Sequence, residues 1–254
     1  MDWIKEAVKY EIEYCKARGG KPIKYPNFIH IFNESVPLAG DYNCALDVKI
    51  SDFQSFEEIV EQVERIHRER NLPRPNCYRL RPPPLNEEQW RNYLFQKGFT
   101  ITTSIYFQSP TFMRILPPEI SLYTPSQNEY IEWYHTLMRR EEWFDEEWFE
   151  MIKPSQLKFI TIYIPYWLIK EGRLIGWIYC AHFAKCSYLF DVWIEEEFRG
   201  QGYGRLLLDA IRDEAKERGA RFVLLSTYEN RRRFYERCGF EECARSSEIW
   251  LEEA

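Results

Sequence analysis

Apolar positions in the second half of the chain switch between two spacings, and the switches fall in a regular order. A short alternating run predicts a strand at 119–123. Aromatic and aliphatic residues at helical spacing (Trp133 and Leu137, then Trp148, Met151 and Ile152) predict helices at 128–140 and 142–152. The stretches 159–169 and 174–183 are dense in β-branched and aromatic residues. Between them, Lys170-Glu171-Gly172-Arg173 reads as a hairpin turn. A further strand at 188–194 runs into a glycine-rich loop. Leu207, Leu208, Ile211 and Ala215 share one face of a helix at 206–218, closed by Gly219. A buried-type strand at 221–226, a helix at 231–237 and a strand at 244–251 complete the order β-α-α-β-β-β-α-β-α-β.

The first half repeats the tail of that order. Strands are expected at 44–50, 76–80 and 100–107, and helices at 56–68 and 87–96, the first with Ile59, Val60, Val63 and Ile66 inward. Tyr93-Leu94-Phe95-Gln96-Lys97-Gly98-Phe99 parallels Phe234-Tyr235-Glu236-Arg237-Cys238-Gly239-Phe240, each Gly-Phe closing a helix and opening a strand. This matching order of elements predicts an internal duplication. Prolines punctuate 72–85 and 116–125; the first run reads as a loop around a short strand. The second is the natural boundary between a domain at 1–114 and another at 115–254.

Composition narrows the class. A chain of 254 residues with 45% hydrophobic and 29% charged content is ordinary for a folded soluble protein, and its 17% aromatic content supplies a large core. The net charge of −6 tells against a nucleic-acid binder. No basic start followed by an apolar core marks a signal peptide, and the most apolar run, 159–169, is interrupted by Pro165 and falls short of the roughly 20 residues a membrane span needs. Seven cysteines without a C-x-x-C pair suit free thiols, so a cytoplasmic protein with no membrane partner is expected. Cys180, His182 and Cys186 lack a fourth ligand at sensible spacing, so no metal is expected. An internal pseudo-dimer removes one common reason to dimerise, and a monomer or weak homodimer is expected.

The chemistry concentrates at 191–206, where a strand leads into Arg199-Gly200-Gln201-Gly202-Tyr203-Gly204-Arg205 and a long helix follows at once. Glycines let backbone amides approach an anion, and the helix adds unpaired N–H groups and the positive end of its dipole. That construction suits a diphosphate. A P-loop would end in Lys-Ser or Lys-Thr where Arg205-Leu206 stands, and the dinucleotide fingerprint G-x-G-x-x-G fails because the glycines run G-x-G-x-G.

The run 199–204 resembles the R/Q-x-x-G-x-G/A acetyl-CoA loop of the GNAT superfamily of N-acetyltransferases. Residues 234–240 resemble that family's second signature, F/L-Y-x-x-x-G-F, in the expected order and at a suitable distance. The resemblance implies an α/β (α+β) GNAT acyl-CoA N-acyltransferase fold: a mixed, mostly antiparallel sheet flanked by helices. It further implies acetyl-CoA as co-substrate, held by Gly200, Gln201, Gly202, Tyr203, Gly204 and Arg205 with Arg199. Val192 and Ile194 would lie against pantetheine on a strand splayed from its neighbour, and Asn230 and Phe234 along the CoA arm. Tyr235 matches the tyrosine that protonates the departing thiolate in many members; a phenol of ordinary pKa near 10 is a donor at pH 7. The implied reaction is direct attack of a neutral amine on the thioester through a tetrahedral oxyanion. His182 and Glu195 are the leading candidates for the base, with Glu196 and Asp191 also near the cleft. The chain departs from the family at Glu196, often proline, at Tyr228, usually asparagine, and at Arg231, usually small.

Other motifs have two readings each. Arg231-Arg232-Arg233 is either a solvated face beside Glu229 or a place where one arginine meets the 3′-phosphate of CoA. The acidic aromatic run 141–148 is either an amphipathic helix or a lure for a cationic amine. The first half has Ser51-Asp52-Phe53-Gln54-Ser55 where a glycine loop would fall and Leu94 in place of Tyr235, so it reads as a degenerate repeat without CoA binding. The expected activity is acetyl transfer to a primary amine of a small molecule or peptide. The alternative is a non-catalytic acyl-CoA-binding module of the same fold. A third reading, an aminoacyltransferase using charged tRNA, is opposed by the intact loop and the negative charge.

Overall fold

The computed structural model describes residues 2–34, 43–75, 77–81, 86–113 and 115–251. Asn76, the expected first residue of a strand, and the prolines at 82–84 lie outside the described residues, as do 252–254. The chain forms two compact units. One comprises residues up to Ile105, Tyr228–Asn230 and residues from Cys243 on; the other comprises Tyr106–Thr227 and Arg231–Glu242.

The first unit contains helix α1 (Trp3–Ala17), strands β1 (Lys21–Lys24), β2 (Ile29–Phe32) and β3 (Cys44–Val48), helix α2 (Phe53–Glu69), strand β4 (Cys77–Leu80), helix α3 (Glu87–Gln96) and the start of β5 (Phe99–Pro110). Most of the last strand of the chain, β11 (Glu241–Leu251), joins it, and its strands run in the order β1-β2-β3-β4-β11-β5. The stripe predicted on α2 is largely buried: Phe56, Ile59, Val63 and Ile66 pack with Tyr78, Leu80, Trp90, Leu94 and Phe99. α1, β1 and β2 were not expected from the sequence. α1 buries Ala7, Tyr10, Tyr14 and Ala17 on one face and a charge beside them: Glu11 pairs with Arg81 at 2.5 Å and 2.6 Å, both side chains being almost wholly buried. A buried ion pair of this kind has no apolar signature in sequence.

The second unit contains β6 (Ile120–Tyr123), α4 (Gln127–Met138), α5 (Glu146–Phe159), β7 (Tyr163–Lys170), β8 (Arg173–His182), β9 (Cys186–Ile194), α6 (Tyr203–Glu217), β10 (Phe222–Tyr228) and α7 (Arg232–Arg237). Its strands run β5-β10-β9-β8-β7-β6, antiparallel from β9 outward to β6 and parallel between β9 and β10. Every element expected in this half is present in the expected order. The β7–β8 turn carries Glu171 and Gly172 at φ of 49° and 79°, which suits a tight hairpin.

One helix departs from expectation. α5 begins at Glu146, where the Asp145 carboxylate caps the amide of Trp148 at 2.8 Å, and runs on through Pro154 to Phe159. The expected end at Ile152 and the expected strand start at Phe159 are therefore both displaced. Proline removes one backbone donor, but Phe149, Ile152, Gln156 and Phe159 form a continuous buried stripe across it. Packing outweighs the local penalty.

Two stretches of the chain share a local plan. In each, a strand, a helix and a parallel strand are followed by a short helix and another strand: β3-α2-β4-α3-β5 and β9-α6-β10-α7-β11. Each first strand carries a bulge with an aspartate in the left-handed region, Asp47 at φ 51° and Asp191 at φ 51°. A non-glycine residue seldom adopts that conformation. It recurs here in the same residue pair, Asp47-Val48 and Asp191-Val192.

Candidate functional site

β9 and β10 pair in parallel from Cys186–Phe222 to Leu189–Leu225, where their ladder ends. β9 nevertheless runs on to Ile194 and β10 to Tyr228. At this point β9 bulges: Trp177 and Tyr179 of β8 stand opposite Trp193 and Phe190, leaving one extra residue in β9. Asp191 takes the left-handed conformation there. The bulge turns the end of β9 and opens a groove of about 460 Å³, within the usual range for a ligand site.

The glycine loop forms the floor of that groove. Gly202 caps α6 at φ 88°, and Gly200 has φ 76°, values that favour glycine. The first intrahelical bond runs from the Leu206 amide to the Gly202 carbonyl at 3.1 Å. The amides before it have no partner within the helix. Gly204 answers a different need: a Cβ there would lie 3.0 Å from Phe234 Cζ and 3.6 Å from Ile194 Cγ1. Its missing side chain lets α7 and the end of β9 close on the first turn of α6. The loop is braced by Arg199, whose Nε donates to the Ile194 carbonyl at 2.9 Å while its guanidinium lies 4.6 Å from the Trp193 ring.

Most of the expected residues meet here. Val192, Ile194, Arg199, Gly200, Gly202, Tyr203, Gly204, Arg205, Phe234 and Tyr235 all line the groove. Gln201 does not: its side chain donates to the Glu197 carbonyl at 2.9 Å. Asn230, exposed in the turn Glu229–Arg231, is not among the lining residues either. Trp193, Phe198 and Arg237 line the groove without having been picked out from the sequence as donor-site residues, whereas Arg231 comes from the arginine run offered for the 3′-phosphate of CoA. A helical face running through Arg231, Phe234 and Arg237 was the available signal for Arg237.

Tyr235 is 8% exposed and packs against Phe107, Phe234 and Phe240. Burial, against the opposing charge of Arg231, pushes its pKa up to about 12. The phenol therefore keeps its proton across the neutral range.

The two expected bases part company. Glu195 follows Ile194 directly, and its carboxylate lies 3.6 Å from Arg140. His182 lies elsewhere. Its Nε2 donates to the Tyr166 hydroxyl at 3.0 Å, that hydroxyl donates to Glu214 at 3.1 Å, and Nδ1 accepts from Ser187 Oγ at 2.9 Å. Glu214 is about 18 Å along α6 from Gly202. The histidine expected near the cleft is thus beside the opposite end of the helix, because β8 runs past β9's bulge before reaching it.

Burial and the Arg218 charge lower the His182 pKa to about 4. A folded-state pKa below the ordinary value means that the stabilisation is complete above about pH 6.5 and is lost as pH falls toward 4. His182→Gln should flatten this part of the acid limb of a urea-midpoint series between about pH 7 and pH 5, and should leave the pH profile of activity unchanged. A shifted activity profile would return His182 to the site.

The acidic run at 141–148 forms a turn and the start of α5, not the helix expected from 142. Glu146 is held by His135 at 2.8 Å and by Arg139, so that carboxylate is engaged internally. Of the consecutive arginines, Arg232 is held by Glu236 at 2.8 Å and Glu242 at 3.0 Å, while Arg231 faces the groove. Among the described residues no group of three or more His, Cys, Asp and Glu side chains could hold a metal ion, and no helix is long and apolar enough to cross a membrane.

Residues 125–240 match the acetyltransferase (GNAT) family. Over 77 residues the chain is 35% identical to a ribosomal protein bS18-alanine N-acetyltransferase of Haemophilus influenzae, covering 30% of this chain and 53% of that protein. The chain spans about half the length of the curated relatives it matches. Among solved structures, a conserved protein of unknown function from Staphylococcus epidermidis superimposes with a TM-score of 0.71 at 14% identity, over 92% of this chain and 95% of the other. A GCN5-related N-acetyltransferase from Kribbella flavida does so with a TM-score of 0.65 at 13% identity, over 98% and 96%. Identities this low establish the fold, a mixed and mostly antiparallel GNAT sheet with flanking helices, and nothing finer.

Proposed function

We propose, from the premise that residues 125–240 are an acetyltransferase domain of the GNAT family, that the protein moves an acetyl group from acetyl-CoA to a primary amine of a small molecule or peptide. The observation that carries this reading is the end of the β9–β10 ladder at Leu189–Leu225, beyond which the last residues of β9, the open first turn of α6 and α7 line one groove. An elongated ligand with a diphosphate fits such a place: glycine leaves the helix amides exposed, and the groove between β9 and α7 accepts the extended arm. Acetyl-CoA, when bound, supplies an acyl thioester that a neutral amine can attack.

The residues that would hold it are Val192 and Ile194 along the arm and Gly200, Gly202, Tyr203, Gly204 and Arg205 at the diphosphate, with Phe234 closing the wall. Tyr235 would hold the proton needed by the departing sulfur. Glu195 is the remaining expected acceptor for the amine proton. In this reading 115–254 carries the catalysis and 1–114 is a degenerate GNAT-like half. Support comes from α2, whose first-turn amide at Ser55 is already taken by the Asp52 carboxylate at 2.7 Å. Seven free cysteines support a reducing compartment such as the cytoplasm.

The test pairs calorimetric titration of acetyl-CoA with a thiol-release assay over a panel of primary amines. Binding together with amine-dependent thiol release is expected. Binding without release across the panel would favour the acyl-CoA-binding module, and absence of binding would end both readings.

A further inference from the structure

Residues 199–204 alternate glycine with side chains that hydrogen-bond, and the two kinds of residue are used differently. Gly200 and Gly202 take positive φ and leave the backbone amides uncovered. A loop built this way is permissive, and ordering it at the moment of binding would cost affinity. The side chains between the glycines are each tethered. Arg199 Nε donates to the Ile194 carbonyl at 2.9 Å, Gln201 Nε2 donates to the Glu197 carbonyl at 2.9 Å, and the Tyr203 hydroxyl accepts from Lys170 Nζ at 2.6 Å. The first two tethers are local, spanning five and four residues. Among the described residues, only the third of these hydrogen bonds reaches another part of the chain: Lys170, the last residue of β7, precedes Tyr203 by 33 positions.

Two cations of the β7–β8 hairpin meet this segment. Arg173 pairs with Glu197, and its guanidinium lies 5.0 Å from the Phe198 ring, which meets the Tyr203 ring edge-on at 6.1 Å. Arg173 and Glu197 are both more than half exposed, and an ion pair in water holds little. The Lys170–Tyr203 bond is short, part-buried and charge-assisted. It holds the lysine's pKa above its ordinary value, so Nζ remains a charged donor at neutral pH. An ammonium has no acceptor to offer, so the phenol oxygen must accept. Tyr203 is the first residue of α6, where the amides have no partner within the helix. Fixing its side chain restrains the peptides that carry those amides.

We propose that Lys170 is a positioning residue for the glycine loop: through the Tyr203 hydroxyl it holds the first turn of α6 in the form that receives the ligand. The proposal rests on the acetyl-CoA reading above. Lys170 does not line the groove, whereas Tyr203 does, so the lysine acts through the tyrosine and not by touching the ligand. Its effect is preorganisation, since a loop held before binding loses less freedom on binding. The sequence presents Lys170 only as part of a hairpin turn, and the pairing with Tyr203 exists only in the folded chain.

Calorimetric titration of CoA into the full chain tests this as a double-mutant cycle. Lys170→Met keeps the aliphatic stem and removes the donor; Tyr203→Phe keeps the ring against Phe198 and removes the acceptor. Each should weaken CoA by about five- to tenfold, and the double variant should be no weaker than either alone. Arg173→Gln should stay within about twofold of the parent. In the thiol-release assay, Lys170→Met should raise the KM for acetyl-CoA by the same factor and leave kcat within about twofold, a split that loss of folded protein would not give. Unchanged CoA affinity in Lys170→Met, or a larger loss from Arg173→Gln than from Lys170→Met, overturns the proposal. So does an equal loss from Lys170→Met in the parent and in the Tyr203→Phe background, because the ammonium would then act on the ligand by its charge alone. Failure of CoA to bind the parent overturns the acetyl-CoA reading instead, so the two failures are distinct.

Discussion

Tyr235→Phe should lower kcat by about 10²- to 10³-fold and change the KM for acetyl-CoA by less than about threefold, the pattern of a lost proton donor. The ring sits among Phe107, Phe234 and Phe240, and phenylalanine keeps those contacts. What the variant loses is the hydroxyl. Because burial raises its pKa to about 12, the phenol is protonated at every pH between about 6 and 10, so any rise in rate across that window belongs to the amine or its base. Parent and variant should therefore share the same apparent pKa on the ascending limb while differing in height. Steady-state kinetics over that range, with thermal melts to verify folding, decide the matter. An undiminished kcat would leave Tyr235 as packing alone.

Gly202→Asp should weaken CoA binding by about 30- to 100-fold with the fold retained. The position is open: a Cβ added there would meet nothing within 4 Å, so no clash is created. The left-handed φ of 88° costs a non-glycine residue about 1–2 kcal/mol, and aspartate is among the residues that visit that region. The larger effect is on the ligand. A carboxylate at the N-cap accepts the helix amides and places a negative charge where a diphosphate would sit, each worth about 1–2 kcal/mol. The first unit shows a carboxylate taking a helix's first amides, there from extended backbone: Asp52 accepts from the Ser55 amide at 2.7 Å, and the Ser55 hydroxyl accepts from the Asp52 amide at 3.1 Å. Gly202→Asn, which caps without charge, should fall between parent and aspartate. Calorimetry showing the aspartate variant equal to its parent would mean that the glycine loop does not hold the diphosphate.

These two residues differ in how they could be read. The glycine loop was legible because glycine at alternate positions before an amphipathic helix is a local statement: Gly200 and Gly202 need their φ values, and Gly204 needs the space taken by Phe234. Tyr235 was legible only through resemblance, since an aromatic at helical spacing is equally a packing residue. Its neighbour Asp191 was legible by type and not by conformation. Nothing in Phe190-Asp191-Val192 announces a left-handed aspartate, because the bulge arises from the mismatch of β9 against β8.

The order of strands and helices in the second half, the hairpin at Glu171-Gly172 and the glycine loop were determined by sequence alone. Each rests on periodicity or on backbone freedom within a few residues. Tertiary structure decided the rest. It carried α5 through Pro154 by burying Phe149, Ile152, Gln156 and Phe159 on one stripe. It buried Glu11 of α1 against Arg81, and it set His182 beside Glu214, away from the groove. It also chose Arg237, and not Arg232, to face the groove with Arg205. Such outcomes depend on partners far apart in the chain, and strand pairing and helix contact select those partners only once the chain has folded.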